Sequence, residues 1–201
     1  GTSSMTCALH AGVTDRDVYL HTLPMFHASG WGMPFAMAGM GVPQVVLRKV
    51  DGAEILHRVE RHGVTVLCAA PAVVNAVLGA ASTWQGQVPG RGRVRIICAG
   101  APPPTKTIVR VEQELGWEFI QIYGLTETSP LLTINRGRSE WDTLPPQERA
   151  ARLVRAGAPA IGVTLKVSQD AEVLARSNVV LEGYWNQPEE TGAALGDGWF
   201  H

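Results

Sequence analysis

Short apolar runs alternate with stretches of helical periodicity through the first two-thirds of the chain. Val18-Tyr19-Leu20-His21-Thr22-Leu23 reads as a strand closed by Pro24, and Gln44-Val45-Val46-Leu47 as another. The small residues from Trp31 to Met40 predict a helix between them. Asp51 is placed to cap a helix running to His62, with Ile55, Leu56 and Val59 on its buried side. Val64 to Ala70 is a near-continuous apolar strand stopped by Pro71, and Ala72 to Ala81 carries Val73, Val74, Val77 and Leu78 at helical spacing. Val94 to Ala99 is the next strand, Thr105 to Leu115 a helix stopped by Gly116, and Phe119 to Ile122 the last strand of the series. Strands that are apolar on both faces and separated by helices imply an α/β fold, a parallel sheet flanked by helices on both faces. Such sheets take ligands beyond the carboxyl ends of their strands. His27, Gly100-Ala101-Pro102 and Tyr123-Gly124 all fall there.

The pattern changes near residue 136. Arg136 to Arg155 is polar, with Pro145-Pro146 opening a charged helical stretch over Gln147 to Val154. Thr164-Leu165-Lys166-Val167 and Asn178-Val179-Val180-Leu181 then alternate like antiparallel strands. The expected organisation is an α/β subdomain over 1–135, then a connecting helical segment and the start of a small β subdomain over 136–201.

Composition narrows the class of protein. The 201 residues are 45% hydrophobic and 17% charged, enough apolar material for a real core. The net charge of −1 gives no electrostatic reason to expect nucleic acid or an anionic membrane as partner. Cys7, Cys68 and Cys98 are odd in number and sit mostly in apolar runs, which fits buried free thiols in a reducing compartment. No apolar run reaches membrane-spanning length and no signal peptide is visible. The expectation is a cytoplasmic protein, with peripheral membrane contact left open to a longer parent. Gly1-Thr2-Ser3-Ser4 reads as a cloning remnant.

The candidate chemistry gathers in four clusters. Gln121-Ile122-Tyr123-Gly124-Leu125-Thr126-Glu127 ends an apolar run on an aromatic residue, and Gly124 lets the backbone turn away. Thr126 is suited to donate to a phosphate oxygen, and Glu127 to hold a hard cation such as Mg²⁺. Leu23-Pro24-Met25-Phe26-His27-Ala28-Ser29-Gly30-Trp31-Gly32 sets a histidine between a strand and a glycine-punctuated helix start. Ala99-Gly100-Ala101-Pro102 is a small-residue turn that admits a flat ring or a carboxylate close to the backbone. Gly183-Tyr184-Trp185-Asn186 and Gly196-Asp197-Gly198-Trp199-Phe200-His201 form the fourth.

In this order the clusters resemble the adenylate-forming enzymes, which include acyl-CoA synthetases, luciferases and peptide-synthetase adenylation domains. The resemblance covers essentially the whole chain. Pro24-x-x-His27 and Tyr-Gly-Leu-Thr-Glu-Thr-Ser-Pro look most like fatty-acyl-CoA synthetases, and His27 argues against a peptide-synthetase domain. The resemblance implies that a carboxylic acid attacks the α-phosphate of Mg·ATP to give acyl-adenylate and pyrophosphate, after which coenzyme A displaces AMP. It places Tyr123 on adenine, with Gln121, Ile122, Gly124 and Leu125 beside it. Gly100, Ala101 and Pro102 would line the nucleotide and carboxylate pocket, Thr126 contact phosphate, and Glu127 hold Mg²⁺. His27 would orient the reacting carboxylate, with Ala28, Trp31 and Gly100 lining the acyl side and Trp31 as an aromatic gate. The implied activity is that of a fatty-acid–CoA ligase for medium- or long-chain acids. An aryl-acid ligase, an acyl-AMP ligase and a non-catalytic nucleotide-binding or structural fragment are the alternatives.

Departures from the family pattern add a further expectation. The Ser/Thr/Gly-rich phosphate loop should precede residue 1, and the Thr-Gly-Asp that holds the ribose should follow His201. The hinge and the domain with the catalytic lysine lie beyond that. Around Gln169 to Glu172 the segment is shorter than the family's usual form. The isolated 201 residues are therefore expected to be the middle of an enzyme, inactive in adenylation alone.

Overall fold

The computed structural model describes residues 2–201. In chain order the elements are α1 (Thr2–His10), β1 (Tyr19–His21), α2 (Ala28–Trp31), α3 (Met33–Gly39), β2 (Gln44–Val46), α4 (Gly52–His62), β3 (Val66–Ala69), α5 (Pro71–Ala81) and β4 (Arg95–Cys98). They continue with α6 (Thr105–Arg110), β5 (Glu118–Gly124), β6 (Leu131–Asn135), α7 (Pro146–Leu153), β7 (Ala158–Pro159), β8 (Thr164–Val167), β9 (Val173–Arg176) and α8 (Pro188–Leu195). One sheet of seven strands runs β2-β1-β3-β4-β5-β6-β7, with β8 and β9 forming a separate antiparallel pair. The first five strands are mutually parallel, and β6 and β7 are antiparallel additions.

The pleat sends alternate residues to opposite layers. Leu20, Leu67, Ile96 and Phe119 face a layer built with Ile55, Leu56, Val73, Val77 and Ile108 from α4, α5 and α6. Tyr19, Val66, Cys68, Ile97 and Ile120 face the other layer, which α1 and α3 close with Cys7, Ala8, Met33 and Met37. Both faces are thus covered, as the two-sided apolar strands require. Asp51 caps α4 by accepting from the Glu54 N–H at 2.9 Å. The helix expected over Thr105 to Leu115 widens into a π-turn at Val111–Leu115 before Gly116 stops it.

Three expectations need correction. Thr2, Ser3 and Ser4 are the first turn of α1, not an appendage: Ser3 and Ser4 are buried, and Ser3 Oγ accepts from the Leu131 N–H at 3.0 Å. Gly1 lies outside the described residues. The helix expected from Trp31 to Met40 is α3, which starts only at Met33 with Pro34 in its first turn; Trp31 instead ends the separate short helix α2. Asn178 to Leu181 is not a strand; β9 lies earlier and pairs with β8 across a tight turn in which Ser168 N–H donates to the Glu172 carbonyl at 2.9 Å. The backbone donor of Leu181 goes instead to the Glu127 carbonyl. Residues 146–159 pack on the large sheet, with Ala150 of α7 in its core and β7 paired to β6.

Among the described residues no helix is long and apolar enough to cross a membrane. All three cysteines are free and buried. Burial pushes the Cys68 thiol up to about 11 and, with Cys68 nearby, Cys98 up to about 12; it raises Cys7 too. Thiols so protonated are packing groups, not nucleophiles.

His21 on β1 is buried and hydrogen-bonded through Nε2 to Gln44 Oε1 at 2.7 Å on β2. Burial lowers its pKa, and the Gln44 contact offsets this only in part. The folded state therefore binds fewer protons at this ring than the unfolded chain. Its contribution is intact above the ordinary histidine value of about 6.5 and is lost as pH falls through and below it. Urea midpoints should drop between neutral pH and mildly acidic pH, and H21Q should flatten that part of the profile.

Candidate functional site

The strand order reverses between β1 and β3, since β2 lies on one side of β1 and the rest of the sheet on the other. Open α/β sheets place ligands at such a point, outside the carboxyl ends. A cleft of about 430 Å³ sits there. Four successive strand ends supply its walls: Leu23, His27, Ala28 and Ser29 after β1, Ala70 and Pro71 after β3, Ala99 and Gly100 after β4, and Ile122 to Thr126 at the end of β5. Pro130 and Leu131 close the far side.

The β5 end is shaped by one close approach. A Cβ on Gly124 would lie 1.5 Å from the Pro130 carbonyl oxygen, so only glycine lets the two strands cross here. The ladder between β5 and β6 shifts register between Tyr123 and Gly124, leaving Tyr123 opposite Thr133. Beyond it the 3₁₀ turn Thr126–Thr128 is tied by Thr128, whose buried hydroxyl donates to the Pro130 carbonyl at 2.6 Å and accepts from the Leu125 N–H at 2.9 Å. Thr128 is not among the residues the sequence singles out by chemistry; its signal is a hydroxyl two residues before a proline, in a turn.

His27 caps α2. Its Nδ1 accepts from the Ser29 N–H at 3.3 Å and lies 2.7 Å from the Ser29 hydroxyl. A lone pair that accepts from an amide carries no proton, so the neutral ring has its N–H at Nε2. That leaves one donor on an exposed ring at the cleft wall. Gly100 has φ +94, and apart from its own chain neighbours no heavy atom of the described residues lies within 4 Å of where its Cβ would stand, so a flat group has room against the backbone.

The expected site residues divide by position. His27, Ala28, Gly100, Ile122, Tyr123, Gly124, Leu125 and Thr126 line the cleft together. Gln121 lies behind it, buried; its Nε2 donates to the Gly100 carbonyl at 3.4 Å, and its Oε1 has no partner among the described residues. Ala101 and Pro102 are exposed on the loop beyond Gly100. Trp31 is 51% exposed, edge-on to Phe35 at 6.0 Å, and is not part of the cleft wall. Gly30 explains that: it is packed against the Pro24 carbonyl, and the next position on α2 is turned outward. Glu127 flanks the cleft on the 3₁₀ turn, with Oε1 accepting from the Tyr184 hydroxyl at 3.3 Å.

Ala28, Ser29, Ile122, Pro130 and Leu131 of the cleft wall also line a second, separate space of only about 20 Å³. Ser3, Ser4, Cys7, Met33 and Cys68 close it. A space of that size admits about one water-sized group.

Among solved structures the fold is that of an o-succinylbenzoate–CoA synthetase from Bacillus subtilis, determined in complex with ATP and magnesium ion. The TM-score is 0.81 at 24% identity, over 99% of this chain and 41% of that one. A 2-methylpropanoate–CoA ligase of Humulus lupulus is 40% identical over 205 residues, covering 94% of this chain and 36% of the relative. A 4-hydroxybutyrate–CoA ligase of Metallosphaera sedula is 38% identical over 199 residues, covering 92% and 36%. The chain thus spans little more than a third of the curated relatives it matches. The profile of the AMP-binding enzymes matches residues 2–185, and the chain belongs to that family.

Proposed function

We propose that this chain is the acyl- and adenine-binding part of an AMP-forming acyl-CoA ligase whose acid is short. The observation that carries the reading is the little free space behind the cleft: about 430 Å³ lies between His27, Gly100 and Tyr123, but only about 20 Å³ behind Ala28, Ser29 and Ile122 on the side of α1. Adenine would lie against the Tyr123 ring and the Gly100 backbone, where a side chain would intrude. The carboxylate would meet the His27 Nε2–H, a donor at the cleft wall that orients it. An acyl group of a few carbons fills what remains. The medium- or long-chain expectation gives way in this reading, because a longer chain running toward α1 would have to displace the buried Cys7 and Met33. The acids named for the hop and Metallosphaera relatives, 2-methylpropanoate and 4-hydroxybutyrate, are of the proposed size.

Attachment of AMP turns a poor electrophile into one with a good leaving group, and the thiol of coenzyme A then displaces it. These residues contribute orientation and charge stabilisation rather than covalent chemistry. Thr126 supplies a hydroxyl for a phosphate oxygen. Glu127 offers a hard carboxylate oxygen beside it, and the described residues contain no cluster of three potential metal ligands. One carboxylate plus substrate phosphates is a donor set that suits Mg²⁺ and not a protein-caged metal. When bound there, Mg²⁺ would neutralise phosphate charge during displacement of pyrophosphate.

The test is an acid panel with the full-length parent, following pyrophosphate release. Acetate, butanoate and 2-methylpropanoate should exceed decanoate and benzoate in kcat/KM by about tenfold or more. A maximum at decanoate would return the reading to longer fatty acids, and one at benzoate to aryl acids.

A further inference from the structure

Gly183-Tyr184-Trp185-Asn186 stands out in the sequence, yet none of it lines the cleft. Its tyrosine and a neighbouring amide reach the turn that carries Glu127. The Tyr184 hydroxyl donates to Glu127 Oε1 at 3.3 Å, and the Leu181 N–H donates to the Glu127 carbonyl at 2.7 Å. One short segment therefore holds Glu127 by both side chain and main chain. The segment is itself anchored: Tyr184 N–H donates to Thr191 Oγ1 at 2.9 Å, and the Thr191 hydroxyl donates to the Gln187 carbonyl at 2.7 Å. The first turn of α8 thus sets where Tyr184 stands.

We infer that Tyr184 is a positioning residue for the cation-binding carboxylate: it fixes one oxygen of Glu127 and leaves the other for the phosphate-bound cation. This rests on the reading of Glu127 as the Mg²⁺ ligand. The physical case is one of preorganisation. A glutamate side chain loses considerable rotamer freedom when ordered. A hydrogen bond made before the cation arrives removes part of that cost from binding. The donor is a neutral phenol, so the carboxylate keeps its full charge; an arginine or lysine here would compete with the cation. Outer groups that orient a metal's ligands commonly matter to its affinity in this way.

The test uses the full-length parent with α,β-methylene-ATP, an analogue that cannot donate its adenylyl group to the acid. Mn²⁺ stands in for Mg²⁺, and its binding is read by electron paramagnetic resonance. Y184F, which keeps the ring and removes the hydroxyl, should raise the Mn²⁺ dissociation constant by about fivefold. E127Q should weaken Mn²⁺ more, and adding Y184F to E127Q should cost nothing further. AMP affinity without metal should be unchanged in Y184F. Unaltered Mn²⁺ affinity in Y184F overturns the inference, as does a full additional loss in the double variant. A parallel loss of AMP affinity overturns it too, because that is what a merely loosened subdomain would produce. If E127Q itself leaves Mn²⁺ affinity intact, the assignment of Glu127 fails first and is seen to fail separately.

Discussion

Alanine at position 124 should slow the proposed adenylation by the parent on the order of a hundredfold and weaken the sheet edge at the same time. Its Cβ would be driven to 1.5 Å from the Pro130 carbonyl oxygen, and to 2.5 Å from the carbonyl carbon. Both are backbone atoms, so no rotamer change relieves the clash. The same carbonyl accepts from the Leu125 N–H at 3.1 Å and from the Thr128 hydroxyl at 2.6 Å. Moving Pro130 away therefore opens the turn that presents Thr126 and Glu127. Overpacking of this kind costs about 3 kcal/mol. A displacement of about 1 Å in groups that position reacting atoms costs on the order of a hundredfold in rate. Pyrophosphate release and the urea midpoint, measured on G124A, should fall together. A variant with wild-type values in both would show that β5 and β6 have slack at their crossing. T128V, which removes the hydroxyl and no bulk, should reproduce the loss of rate with less loss of stability.

Much of this architecture was legible because buried parallel strands have a strong signature. Leu67, Ile96 and Ile120 lie in runs that no amphipathic helix would carry, and each became a central strand. The site residues His27, Gly100 and Tyr123 were legible for a related reason: each follows directly on such a run, and strand ends converge. What escaped were features fixed by distant partners. Leu131 to Asn135 reads locally as the tail of a motif, and becomes β6 only because β5 offers it an edge. Ser3 and Ser4 look like solvent residues until the Leu131 amide is there to donate to Ser3. Asn178 to Leu181 alternates like a strand, but among the described residues it pairs with none, and the Leu181 N–H donates to the Glu127 carbonyl. Tyr184 and Glu127 are separated by 57 residues, and no periodicity connects them.

The largest loss of stability is expected from D17A, at the opposite end of the same strands. Asp17 is buried, and its carboxylate collects three donors. Oδ2 accepts from the Thr14 N–H at 2.8 Å, while Oδ1 accepts from the Thr65 hydroxyl at 2.7 Å and from the Arg95 guanidinium. Arg95 in turn donates to the Ala11 carbonyl at 2.6 Å and the Gly12 carbonyl at 3.0 Å, so the approach to β1 is tied to β3 and β4. Removing the carboxylate strands a guanidinium whose side chain is only 13% exposed. Breaking one half of such a pair costs about 3–5 kcal/mol, mostly as the penalty of the charge left behind. Urea denaturation of D17A should show a loss of that size. The double variant D17A/R95M should be more stable than D17A alone, since no buried charge then remains unpaired. A D17A loss below about 1 kcal/mol would mean that water reaches the guanidinium and screens it. Because these groups sit at the amino ends of strands whose carboxyl ends build the cleft, the surviving folded fraction of D17A should keep its KM for the acid. Stability and recognition are then separable in one sheet, with Gly124 marking the end where they coincide.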